Sequence, residues 1–115
     1  MKLFLDDVRS TPPGWQRSET AWETIWFLEH EDVTHLSLDH DLGDGPAYGE
    51  SPGNGNDVAK WIEEQAVNEK FTLIPQFINC HSSNPKGKAN ICASIKSAMR
   101  FGAKIVYTEN NAKEI

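Results

Sequence analysis

Three short apolar runs, each broken off by a polar cluster, constrain this chain more than any other feature. Residues 2–5 (KLFL) stop at Asp6-Asp7, residues 34–38 (THLSL) stop at Asp39-His40-Asp41, and residues 73–80 stop at His81-Ser82-Ser83-Asn84. Short apolar runs bounded by polar residues read as buried strands. Between them the apolar spacing changes to that of a helix. Ala21, Trp22, Ile25 and Leu28 make one stripe, Val58, Trp61, Ile62 and Ala66 a second, and Ile91, Ile95, Ala98 and Met99 a third. A last strand over 104–107 follows. Strands alternating with helices require a parallel sheet with right-handed crossovers. Ligands of such sheets bind at the carboxyl ends of the strands, and all three polar clusters fall on that edge.

The local signals set boundaries. Thr20 followed by Glu23 has capping-box spacing for a helix reaching about Glu29, with Ser18 as the other candidate cap. Asn56 or Asp57 is expected to cap the second helix, and the third is expected over 90–101 with Gly102 beyond its end. Pro75 belongs near the start of its strand, where a missing amide donor costs least. Residues 15–17 suit a short edge strand. The segment from Gly43 to Asn56 holds five glycines and two prolines around Tyr48, which predicts a mobile lid.

No helix fits between Asp7 and Ser18, because the segment contains Pro12-Pro13-Gly14, and the residues after Tyr107 are too few for another. Three crossovers advancing one way put three helices on one face. Leu3, Leu5, Leu36, Leu38, Ile78 and Cys80 should face them. Lys2, Phe4, His35, Ser37, Phe77 and Asn79 should form the other face, where Phe4, Phe77 and Val106 make a homodimer plausible. The expected fold is thus a reduced, flavodoxin-like parallel sheet in one domain spanning residues 1–115.

Charge narrows the partners. The chain carries 11 Lys and Arg against 17 Asp and Glu, a net charge of -6, which argues against a duplex nucleic acid groove binder. Two cysteines without CxxC spacing, no apolar run of membrane-spanning length and an N-terminus that turns acidic at once predict a cytoplasmic protein with no membrane partner.

Carboxylates crowded at neighbouring strand tips repel one another and need a cation or a proton. Asp6, Asp7 and Asp39, with Asp41 direct or water-mediated, suit Mg²⁺, with Mn²⁺ possible. His40 and His81 are candidates for acid–base work, or for ligation that would favour Zn²⁺ or Mn²⁺. Arg9 can hold a phosphate in bidentate fashion or pair with an aspartate. Ser82, Ser83, Asn84 and Lys86 precede a helix and form the expected phosphate-contacting side. His30 and His35 read as structural.

LFLDDVR, PPGW, LSLDHDLG and HSSNPKG together resemble the cyclic-phosphate processing receiver domain family, a divergent branch of the response-regulator receiver fold, over residues 2–107. By that resemblance Asp6 and Asp7 match the acidic pair that holds Mg²⁺ and Asp39 the phosphate-accepting aspartate. Ser82 or Ser83 lies where receivers place a switch hydroxyl. Where receivers keep a lysine, this chain reads Tyr107-Thr108-Glu109, which weakens a phosphorelay. His40, His81 and Asn84 then imply chemistry on a ligand: metal-dependent hydrolysis of a cyclic phosphate on a nucleotide-like small molecule. The alternative is a non-enzymatic receiver or nucleotide-binding module using the same acidic pocket.

Overall fold

Each apolar run becomes a strand of one sheet. The computed structural model describes residues 1–43 and 51–111. Its elements are β1 (Lys2–Leu5), β2 (Gln16–Ser18), α1 (Ala21–His30), β3 (His35–Leu38), α2 (Gly55–Val67), a 3₁₀ turn (Phe71–Leu73), β4 (Phe77–Cys80), α3 (Pro85–Arg100) and β5 (Val106–Thr108). The strands lie in the order β2-β1-β3-β4-β5, and every neighbouring pair is parallel.

Strand alternation divides the sheet as expected. Leu3, Leu5, Leu36, Leu38, Ile78 and Cys80 join one buried cluster with Ala21 and Leu28 of α1, Val58 and Ile62 of α2, and Ile91 and Ile95 of α3. The helices therefore share one face. Each fully buried Leu or Ile there contributes roughly 1.5–3 kcal/mol. The other face is not the water-tolerant surface that its mixed composition suggests. Phe4 is fully buried, and Ser37 and Asn79 are buried with it. Trp15 meets Phe4 edge-on at 6.3 Å between ring centres, and the Asn110 backbone bonds to Asn79. Of the residues expected to support a homodimer, only Phe77 and Val106 keep exposed apolar surface.

The register builds the functional edge. Leu5, Leu38 and Cys80 stand abreast. The next residue on each strand is Asp6, Asp39 or His81, and by alternation these follow the direction of Phe4, Ser37 and Asn79. The Asp39 and His81 amides extend the ladder, donating to the Leu5 and Leu38 carbonyls at 3.0 Å each.

Several boundaries differ from expectation. β2 and β5 each lie one or two residues later than predicted. β4 begins at Phe77 rather than residue 73, because Phe71–Leu73 close a 3₁₀ turn and Pro75 offers no amide to the ladder. α2 is capped by Asn54, whose side chain accepts from the Asp57 amide while Asp57 accepts in return from the Asn54 amide. α3 begins at Pro85, not at residue 90. Asn84 caps it, accepting from the Lys86 and Gly87 amides at 3.1 Å each, and a proline at the first helical position lacks only an amide that would be unpaired anyway. Tyr48, with Gly45 and Gly49 of the predicted lid, lies outside the described residues. Gly55 does not supply flexibility: a Cβ there would collide with the Asp39 carbonyl oxygen. It lets the start of α2 rest on the strand tip, where its amide donates to the His40 carbonyl at 3.1 Å.

Candidate active site

Asp6 is the most constrained residue at the strand tips. It has no exposed surface, and the chain turns so that its carboxylate is surrounded by donors. Oδ1 accepts from the Val8 and Arg9 amides at 2.8 and 2.9 Å. Oδ2 accepts from Arg9 Nη1 and His81 Nε2, both at 2.9 Å. Burial alone would raise the Asp6 pKa. The bonds from His81, the two amides and Arg9 together outweigh it and hold the carboxyl well below the usual range.

Asp39 is held more loosely. Oδ1 accepts from the His40 amide at 2.9 Å, and Oδ2 lies 3.4 Å from Arg9 Nη1. Its pKa is raised, first by burial and then by the Asp6 charge, with His81, Arg9 and the His40 amide opposing. The cation that the paired carboxylates require is thus supplied within the chain. One guanidinium nitrogen spans Asp6 and Asp39, and the Arg9 side chain keeps 35% of its surface exposed. The pair in turn raises the Arg9 pKa, chiefly through the Asp6 hydrogen bond.

His81 faces inward. Its side chain is fully buried and stacks on Phe4, with ring centres 4.4 Å apart and planes 4° from parallel. Nδ1 lies 2.7 Å from Ser37 Oγ and Nε2 2.9 Å from Asp6 Oδ2. With both nitrogens engaged inside the protein, His81 is arranged to orient Asp6.

His40 and Asp41 form a separate cluster. The Asp41 carboxylate lies 2.8 Å from His40 Nδ1 and accepts from Asn84 Nδ2 at 3.2 Å. These contacts, the His40 bond foremost, lower its pKa against a small burial cost. Asn84 meanwhile caps α3, and Gly87 packs so closely on the His40 ring that a Cβ would overlap it. The cluster ties the β3 tip to α3. Asp7 lies apart, its carboxylate over Gly43.

Arg9, Ser82 and Ser83 do come together, around a cavity of about 350 Å³ that Cys80, His81, Lys88, Glu109, Asn110 and Asn111 also line. Asn84 and Lys86 are not among its lining residues. Lys88 takes that place because α3 starts at Pro85, which sets Lys88 one turn before the buried Ile91. The segment after β5, predicted only as a polar tail, supplies a further wall through Glu109, Asn110 and Asn111; periodicity carries no signal for such a segment.

Does a divalent ion fit? Among the described residues, Asp6, Asp39 and His81 each offer a ligand-type atom, all within 4.8 Å of one another. Two carboxylates suit a hard cation. His81 Nε2 already donates to Asp6, however, and Arg9 takes the remaining acceptor direction on Asp6 Oδ2. The carboxylates therefore fit an ion only when Arg9 withdraws.

The family model for the cyclic-phosphate processing receiver domain matches residues 1–97. The chain belongs to that family. The match spans β1 to most of α3 and so contains Asp6, Arg9, Asp39, His81, Ser82 and Lys88, whereas the wall formed by residues 109–111 lies beyond it. The domain is accordingly an α/β receiver-like fold, with a five-stranded parallel sheet and three helices among the described residues. At the end of β5, where receivers keep a lysine and this chain departs from their pattern, Glu109 accepts from the Tyr107 hydroxyl at 2.9 Å. No curated protein and no solved structure matches the chain. Among the described residues, no helix is long and apolar enough to cross a membrane.

Proposed function

We propose that this receiver-family domain is a metal-dependent phosphoesterase that opens a cyclic phosphate on a nucleotide-like small molecule. The observation that carries this reading is the cavity itself. It is lined by a guanidinium, an ammonium and two hydroxyl side chains, and Arg9 links it to a buried carboxylate pair. Arg9 and Lys88 bind the anionic oxygens of the phosphate, and Ser82 and Ser83 are the hydroxyls beside them. Mg²⁺ or Mn²⁺ would be held by Asp6 and Asp39, without Asp7 and Asp41, which stand apart from them, and when bound would act as a Lewis acid on the phosphoryl oxygen.

Asp39 is the proton carrier in this scheme. Its Oδ1 retains an acceptor direction beyond the His40 amide, through which a proton of a nearby water can be taken. It takes a proton from the attacking water as the new P–O bond forms. It returns that proton to the ribose oxygen released when the ring P–O bond breaks, leaving a phosphomonoester and an unchanged carboxylate. Asp6 and His81 hold the frame.

Incubation with a 2′,3′-cyclic nucleotide, with Mg²⁺ and then with EDTA, tests the proposal. Ring opening is expected only with metal, and Asp39→Asn should lower the rate by about 10²-fold or more. No turnover, together with a stable phosphoprotein formed from acetyl phosphate, would overturn it in favour of a signalling receiver.

A further inference from the structure

Every polar atom of the buried Asn79 side chain is committed. Oδ1 accepts from Thr108 Oγ1 at 2.7 Å and from the Asn110 amide at 2.9 Å, while Nδ2 donates to the Asn110 carbonyl and to Ser37 Oγ, both at 3.0 Å. A side-chain amide has two donor and two acceptor directions, so all four are used. Rotating the amide by half a turn would set its oxygen against the Asn110 carbonyl.

From this fixed point the donors can be counted. Ser37 accepts from Asn79 and keeps one hydrogen. At the far end, the Asp6 carboxylate can only accept, so His81 Nε2 must be the donor in their 2.9 Å contact. In the neutral imidazole Nδ1 is then an acceptor, and the Ser37 hydroxyl supplies its hydrogen across 2.7 Å. All donors point one way: Asn79 to Ser37, Ser37 to His81, His81 to Asp6. Ser37, Asn79, His81 and Asp6 are each at most 6% exposed, so bulk water is poorly placed to substitute for a missing link.

We infer that Asn79 is a positioning residue that sets two walls of the cavity at once. Along the buried line it fixes the His81 tautomer and thereby Asp6, which holds Arg9. Through three further bonds it anchors Thr108 and Asn110, and Asn110 also lines the cavity. The functional consequence rests on the phosphoesterase reading; the direction of the line does not.

Nitrogen-15 NMR of the His81 imidazole in the full chain, without ligand, tests the direction directly. Hydrogen is expected on Nε2, with Nδ1 bare. Asn79→Asp replaces the Nδ2 donor by an acceptor of similar volume. The Ser37 hydroxyl should then turn toward it, and hydrogen should appear on Nδ1. Ser37→Ala leaves the Asn110 anchor intact, shifts the Nδ1 resonance and keeps hydrogen on Nε2. In titrations with inorganic phosphate, Asn79→Asp should weaken binding about tenfold and Ser37→Ala by about threefold, because only the first variant disturbs both walls. Hydrogen on Nδ1 in the unaltered protein, or an Nδ1 resonance unmoved in Ser37→Ala, would overturn the inference even if Asn79→Asp failed to fold. Hydrolysis absent while the tautomer is as expected would sink the phosphoesterase reading and leave the line standing.

Discussion

Two histidine–aspartate pairs stand at the carboxyl edge of this sheet at nearly the same separation, 2.9 Å for His81–Asp6 and 2.8 Å for His40–Asp41. Their surroundings differ. The first pair is fully buried, whereas the Asp41 side chain is 65% exposed and His40 keeps 16% of its surface. Water screens the second pair and can replace either partner. Nothing replaces a partner of the first, so its loss strands a donor or a charge in the interior. Equal distances therefore predict unequal consequences.

The largest effect should come from Asp6→Ala, which removes acceptors from the Val8 and Arg9 amides, Arg9 Nη1 and His81 Nε2 together. Breaking a buried pair from one side costs about 3–5 kcal/mol, a sizeable part of the stability of a domain this small. Urea unfolding measures it, and a cost below about 1 kcal/mol would show that the first pair is no different from the second.

Acid titration sharpens the same contrast. Asp6 has a folded pKa below its unfolded value, so its contribution is complete above the ordinary carboxylate range and is lost as pH falls toward the folded value. Asp39 is shifted upward, so its contribution is present below the unfolded value and lost as pH rises through the folded one. Asp6→Asn should therefore flatten the acid limb of the stability curve, and Asp39→Asn should raise stability near neutrality. Thermal unfolding across pH 2–7, a range chosen to span the usual carboxylate titration, checks both signs.

A smaller effect is expected at Arg9. If its guanidinium is the resident counter-ion of the carboxylate pair, Arg9→Gln leaves the pair uncompensated and should tighten Mn²⁺ binding by about tenfold, since removing one unit of like charge at short range is worth at least that much. Calorimetric titration with the metal alone decides this. Unchanged or weaker binding would mean that no ion competes with Arg9 for Asp6 and Asp39. Least of all should follow from Asp41→Asn, within about 0.5–1 kcal/mol and fading with added salt.

The parallel sheet, the shared helix face and the placing of Asp6, Asp39 and His81 at one edge were legible because they rest on strand period and strand ends. Asp7 and Asp41, expected to join Asp6 and Asp39 around an ion, point elsewhere. What escaped was polar structure with no period. Ser37 and Asn79 alternate with Leu36, Leu38, Ile78 and Cys80, which places them on the helix-free face but does not say that they bond to each other and to a returning chain end. Phe4 looked exposed for the same reason, since Trp15 and His81 cover it from outside its own strand. The start of α3 was hidden by Pro85, a residue that ends helices from within and begins them well. Lys88 could be placed in the cavity only after that start was known.

The open sheet has two edges, β2 and β5, and each is three residues long. An unpaired strand is a template for adding another chain, and its capacity scales with the backbone groups it leaves free. At either margin a foreign strand would find a ladder only three residues long. The brevity that made both elements hard to delimit thus also guards the domain against edge-to-edge aggregation. Side chains on a face, where Phe77 and Val106 are exposed, offer a second copy more surface than the backbone of either edge.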